Sequence, residues 1–87
     1  MPTISFFYGI AIQMFWNDHA PPHFHARYGA SRAIFRISDC VLIGGELPPT
    51  ATNIVRDWAL AHQTELEHNW QMGISGQPMD KIAGPDD

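Results

Sequence analysis

The chain has 87 residues, a formal net charge of −4 and a single cysteine, Cys40. This length predicts one domain, burying only ~60 to 65% of its unfolded surface, with no intramolecular disulfide and no Cys-based zinc site. Net negative charge disfavours a nucleic-acid binder that works by neutralising phosphates, and no apolar run approaches the ~20 residues that span a bilayer.

Met1-Pro2-Thr3 opens the chain without the basic and apolar regions of a signal peptide, so a cytoplasmic setting is expected. Thr3 to Tyr8 is β-rich and Gly9 punctuates it. Ile10 to Trp16 alternates, with Ile10, Ile12, Met14 and Trp16 opposed to Ala11, Gln13 and Phe15. In the loop Asn17 to Pro22, two prolines fix their own φ and restrict Ala20, which predicts a stiff extended connector. His23 to Tyr28 alternates again. Gly29-Ala30 suits a type II′ two-residue hairpin, from which Ser31 to Ile37 returns. Ser38-Asp39 then turns the chain into a short last strand, Val41 to Ile43.

A two-residue loop fixes the register. Tyr28 is expected to face Ser31, Arg27 to face Arg32, Ala26 to face Ala33, His25 to face Ile34, Phe24 to face Phe35 and His23 to face Arg36. Phe24, Ala26, Tyr28, Ala33 and Phe35 then form a core face. The opposite face carries His23, His25, Arg27, Arg32 and Arg36 and is cationic. Like charges directly opposite cost up to ~1 kcal/mol, so Arg27 against Arg32 calls for an anion, a carboxylate or solvent.

The second half reads as helix. Pro48-Pro49 occupies a start position, and Ala51, Ile54, Val55, Trp58, Leu66 and Trp70 recur at spacings of three and four up to about Ile74. A single straight helix of that span is ~39 Å long, too long for a domain whose radius of gyration is near ~13 Å. It therefore either breaks near His62-Gln63-Thr64, where Thr64-x-x-Glu67 offers a capping box, or projects and pairs with a second copy. Gly73, Gly76 and Pro78 stop it, and residues 79–87 read as a flexible tail.

The segment His19-Ala20-Pro21-Pro22-His23-Phe24-His25 holds three of the five histidines. Histidine titrates near neutrality and serves as base, acid or metal ligand. His-x-His on a strand puts two imidazoles on one face, ~6.6 Å apart along the backbone. With His19 or Asp18 as a third ligand, this pattern suits zinc or another divalent transition metal with one open position. The metal candidates are His19, His23 and His25. A metal-free site is the second reading: His23 and His25 as general base and acid, oriented by Asp18, with Arg27, Arg32 and Arg36 holding a phosphate. Binding is the third, since a half-polar sheet with open edges and an amphipathic helix suits a partner protein or a homodimer. His62 reads as a satisfied core histidine, and Cys40 as a small buried apolar residue.

Several stretches together closely resemble the short bacterial proteins grouped as domain of unknown function 4160. They include Phe7-Tyr8-Gly9, Asn17-Asp18-His19, Pro21-Pro22-His23-Phe24-His25-Ala26, Gly45-Glu46-Leu47-Pro48, Asp57-Trp58-Ala59, Asn69-Trp70 and Gly76-Gln77-Pro78. The resemblance implies a gene pair of the toxin–antitoxin kind, in which such proteins are encoded beside another small protein; it brings no established activity. Many relatives carry a basic residue after Pro48, where this chain has Pro49 and Thr50.

The sequence thus predicts an α+β domain over residues 1–78: an antiparallel meander of four or five strands, followed by a long or broken helix packed on one face. The expected function is that of a small component of a two-gene module acting through a protein partner, the product of the adjacent gene, as a homodimer or hetero-complex. The alternative is an RNA-cleaving or metal-dependent hydrolytic toxin centred on His19, His23 and His25.

Overall fold

The computed structural model describes residues 2–86. Five strands, β1 (Thr3–Phe7), β2 (Ile10–Gln13), β3 (His23–Tyr28), β4 (Ser31–Arg36) and β5 (Leu42–Glu46), precede two helices, α1 (Pro49–Ala61) and α2 (Gln63–Ile74). The strands form one antiparallel sheet in the order β1-β2-β3-β4-β5. The α+β meander expected from the sequence is therefore present, with five strands.

Turn chemistry explains each reversal. Tyr8 and Gly9 both take positive φ, 51° and 78°, the backbone a type I′ hairpin demands. At the β3–β4 turn only Gly29 is positive, at 58°, as the II′ reading required. All six expected β3–β4 pairs are found, from His23 opposite Arg36 to Tyr28 opposite Ser31. Between β4 and β5, Asp39 takes two bonds from Arg36, at 3.0 and 2.6 Å, and one from the Val41 amide at 3.2 Å. Gly45 is obligatory in β5: its φ is +64° and a Cβ there would lie 2.1 Å from the Arg32 carbonyl oxygen.

The helical half is broken at His62, and the reason is local. The His62 backbone N–H bonds the Ala59 carbonyl at 3.0 Å, tightening the turn. The Trp58 carbonyl, which that N–H would otherwise reach, accepts instead from His62 Nδ1 at 2.8 Å. The Thr64-Glu67 capping box does not form: α2 begins at Gln63, His62 is its N-cap, and no side chain caps it. Two helices of 13 and 12 residues fit a domain of 34 × 27 × 23 Å, as one ~39 Å rod would not.

The core lies between the helices and one sheet face. Phe24 and Phe35 stack at 5.4 Å, and Trp58 of α1 packs against Phe7 at 5.1 Å and Phe24 at 6.1 Å. Burial of aromatic rings of this size is the main stabilising contribution here. Cys40 is buried and free, and burial pushes its thiol up from the ordinary value.

Three local expectations are corrected. Tyr28, placed in the core by alternation, is 42% exposed, because it is the last residue of β3. The second strand ends at Gln13 rather than running to Trp16: the Met14 amide still bonds the Pro2 carbonyl at 3.2 Å, and the chain then turns towards α2, where the Asn17 amide bonds the Gly73 carbonyl at 3.3 Å. His23, assigned to the solvated face, is only 5% exposed.

Residues 79–86, read as part of a flexible tail, form no helix or strand and lie along the domain. Asn69 donates to the Asp80 carbonyl and accepts from the Asp80 amide, both at 2.8 Å. The Ile82 amide bonds the Ile4 carbonyl at 2.8 Å, and Trp58 Nε1 bonds the Ala83 carbonyl at 2.8 Å. Ile82 is part of the core. Residue 87 lies outside the described residues.

Candidate functional site

The loop after β2 and the start of β3 bring Asp18, His23 and His25 together. Asp18 Oδ2 lies 2.9 Å from His23 Nε2 and 3.7 Å from His25 Nε2. One donor atom from each residue falls within 4.8 Å of the others. The reason is the strand period of two, which puts His23 and His25 on the same face, and the loop, which folds back so that Asp18 meets both.

His23 is walled in by Trp70 of α2, ring centroids 5.2 Å apart. Its Nδ1 faces the Pro21 carbonyl oxygen at 2.7 Å, so that nitrogen carries the proton and donates. Phe15 packs edge-on against the His25 ring at 4.6 Å. His25 Nε2 is buried and has no hydrogen-bond partner among the described residues. Burial, together with the neighbouring His23 charge, holds the His25 imidazole below the ordinary histidine value, with Asp18 pulling the other way. For Asp18, burial raises the carboxyl, but the His19 backbone N–H and the charges on His23 and His19 outweigh it and leave it below the usual carboxylate range.

Not every sequence candidate joins this group. His19 is 90% exposed and sits on the other carboxylate oxygen, its Nδ1 3.1 Å from Asp18 Oδ1. Arg36 is engaged by Asp39 in a bidentate pair, which raises its pKa. Arg27 and Arg32 face each other across β3 and β4 as expected, and neither has a carboxylate partner within 4 Å among the described residues. They line a shallow pocket of about 100 Å³ with Gln13, Phe15 and His25, so His25 belongs to both the histidine cluster and the arginine pair.

The sequence reading missed four participants. Gln13 and Phe15 share the parity of Ala11, which put them on the open face; only the β2–β3 register, Gln13 opposite His25, and the packing of Phe15 on the His25 ring place them at this site. Trp70 and the Pro21 carbonyl had no local signal. A larger pocket, about 270 Å³, lies between α2 and the C-terminal segment, lined by Glu65, His68, Asn69, Asp80 and Lys81. It holds one imidazole, whose Nε2 is 3.5 Å from an exposed Asp80 carboxylate, and volume alone gives it no chemistry.

Fold and site define a small five-stranded meander with a helix pair on one face and a histidine–carboxylate cluster at the start of its central strand. The family described as Domain of unknown function (DUF4160) matches residues 9–71, and the chain belongs to it. No curated protein and no solved structure matches the chain significantly. Among the described residues no helix is long and apolar enough to cross a membrane.

Proposed function

We propose that this protein is a small cytoplasmic component of a bacterial two-gene, toxin–antitoxin-like module, and that it acts by binding the small protein encoded beside it through the open face of its sheet. One observation carries the reading. Arg27 and Arg32 lie directly opposite each other with no carboxylate within 4 Å among the described residues, in a cross-strand row that runs from the 65% exposed Phe6 to Glu46, the residue opposite Arg32 on β5. Like charges directly opposite cost stability; Glu46 faces Arg32 alone, and an acidic surface covering both guanidinium groups offsets the rest, while exposed aromatic area supplies the apolar contact that interfaces favour. A chain of net charge −4 offers too little positive charge to grip long RNA at physiological salt.

The experiment is co-expression with the adjacent gene product, followed by sizing with light scattering. A stable complex is expected, weakened by added salt and abolished by the Arg27→Glu, Arg32→Glu double variant. Two proteins that elute apart at high concentration, or a complex indifferent to charge reversal, overturn this reading.

A second reading is favoured by the convergence of Asp18, His23 and His25 beside the arginine-lined pocket: an RNA-cleaving or metal-dependent hydrolytic toxin. Inducing the protein alone then arrests growth and fragments RNA, and a His23→Ala, His25→Ala variant does neither. Unaffected growth and intact RNA on induction of the wild type remove it.

A further inference from the structure

Both ring nitrogens of His23 face oxygen acceptors. Nδ1 meets the Pro21 carbonyl at 2.7 Å, and Nε2 meets Asp18 Oδ2 at 2.9 Å. A neutral imidazole that donates from Nδ1 presents its Nε2 lone pair to the carboxylate, which is repulsive unless a cation or a second proton lies between them. The neighbouring His25 Nε2 is buried and has no hydrogen-bond partner among the described residues, and leaving a buried nitrogen unsatisfied is costly. With His23 deprotonated at Nε2, three lone-pair donors lie within 4.8 Å of one another, and one cation satisfies all three in place of the proton that otherwise joins His23 to Asp18.

We infer that Asp18 Oδ2, His23 Nε2 and His25 Nε2 form a mononuclear site for a divalent transition metal of the zinc class. The donor set selects the metal: imidazole nitrogens suit zinc, nickel, copper or iron, whereas magnesium and calcium take oxygen ligands. With M–N and M–O distances of ~2.0–2.2 Å, tetrahedral donors stand ~3.3–3.6 Å apart; the 2.9 and 3.7 Å contacts fall on either side of that range, and all three donors lie within 4.8 Å of one another, so a small inward shift of the two imidazoles closes the site. The Pro21 carbonyl supplies the outer hydrogen bond that fixes the tautomer of a ligating histidine. Three protein ligands leave one tetrahedral position open, the arrangement of sites that bind an exchangeable water or anion rather than purely structural ones. His19 lies outside this set, on the opposite carboxylate oxygen. The inference is independent of the partner reading, because a docking face needs no metal.

The test is calorimetric titration of tag-free, chelator-treated protein with zinc chloride and nickel chloride, alongside the absorption spectrum of the cobalt-loaded protein. One equivalent is expected to bind, with a cobalt spectrum of tetrahedral intensity. His25→Ala and Asp18→Asn each weaken binding by about 100-fold or more, beyond the ~10–100-fold typical of losing an outer partner. His19→Ala loses no more than about tenfold, and His68→Ala binds as wild type. Since His23 is buried, circular dichroism of each metal-free variant confirms folding, and the half-buried His25 carries the decision. Absence of binding by the wild type, equal binding by folded His25→Ala, or loss of binding in His68→Ala overturns the site.

Discussion

Phe24 and His25 are neighbours in β3 and belong to different worlds. Phe24 faces α1, fully buried, stacked on Phe35 and capped by Trp58. His25 and Arg27 face away, beside Phe15, Arg32 and a shallow pocket. The covered face is built of Ile12, Phe24, Ala26, Ala33 and Phe35, none more than 1% exposed. The open face keeps its polar groups, among them Arg27 opposite Arg32 and Arg32 opposite Glu46. The contrast teaches that one strand serves two purposes through its period of two: every even residue from Phe24 to Ala26 holds the fold, and every odd one from His23 to Arg27 is left to chemistry or binding.

Substitutions on β3 break or sharpen that contrast. The largest effect is expected for Phe24→Ala, which empties a closed aromatic core and costs ~3–5 kcal/mol, read as a lowered melting temperature; a loss below ~1 kcal/mol would place Phe24 outside the structural face. Next comes Asn69→Ala on the helical side. It strips the Asp80 amide and carbonyl of their 2.8 Å partners and is expected to cost ~1–3 kcal/mol, with faster proteolysis of residues 79–86.

Arg27→Glu should move the other way. It turns a like-charge pair into an opposite-charge pair across β3 and β4, gaining up to ~1 kcal/mol while weakening a partner that reads positive charge. A destabilised Arg27→Glu protein would show that Glu46, opposite Arg32 on β5, already offsets the repulsion.

A smaller, pH-dependent effect follows from His25. Its folded-state pKa lies below the ordinary 6.5, so as pH falls through 6.5 the unfolded chain takes up a proton before the folded one. The metal-free protein therefore loses stability from about pH 6.5 down to the folded pKa and no further from this group, since stability rises with pH wherever the unfolded state binds more protons. Chemical denaturation at stepped pH checks this, and His25→Ala should flatten that part of the curve. The smallest effect is expected for Phe6→Ser, an exposed position whose stability change should stay within ~0.5 kcal/mol while partner affinity falls.

The sequence by itself determined the class of fold and the β3–β4 register to the residue, and it narrowed the helical half to a break near His62 or a projecting rod. Each of these is local. A two-residue Gly-X turn leaves one register, period-two alternation then assigns faces, and a helical stripe longer than the domain must bend or project; the structure decided for the bend. Only the tertiary structure decided which histidines act together. His19, His23 and His25 look equivalent in sequence. Burial against Trp70 and the return of the loop onto Asp18 separate them, leaving His19 in solvent. In the same way Arg36 was drawn off by Asp39, and the arginine face was reduced to Arg27 and Arg32. These outcomes depend on contacts between residues far apart in the chain, and the spacing of side chains along a strand carries no record of what packs against it from another element.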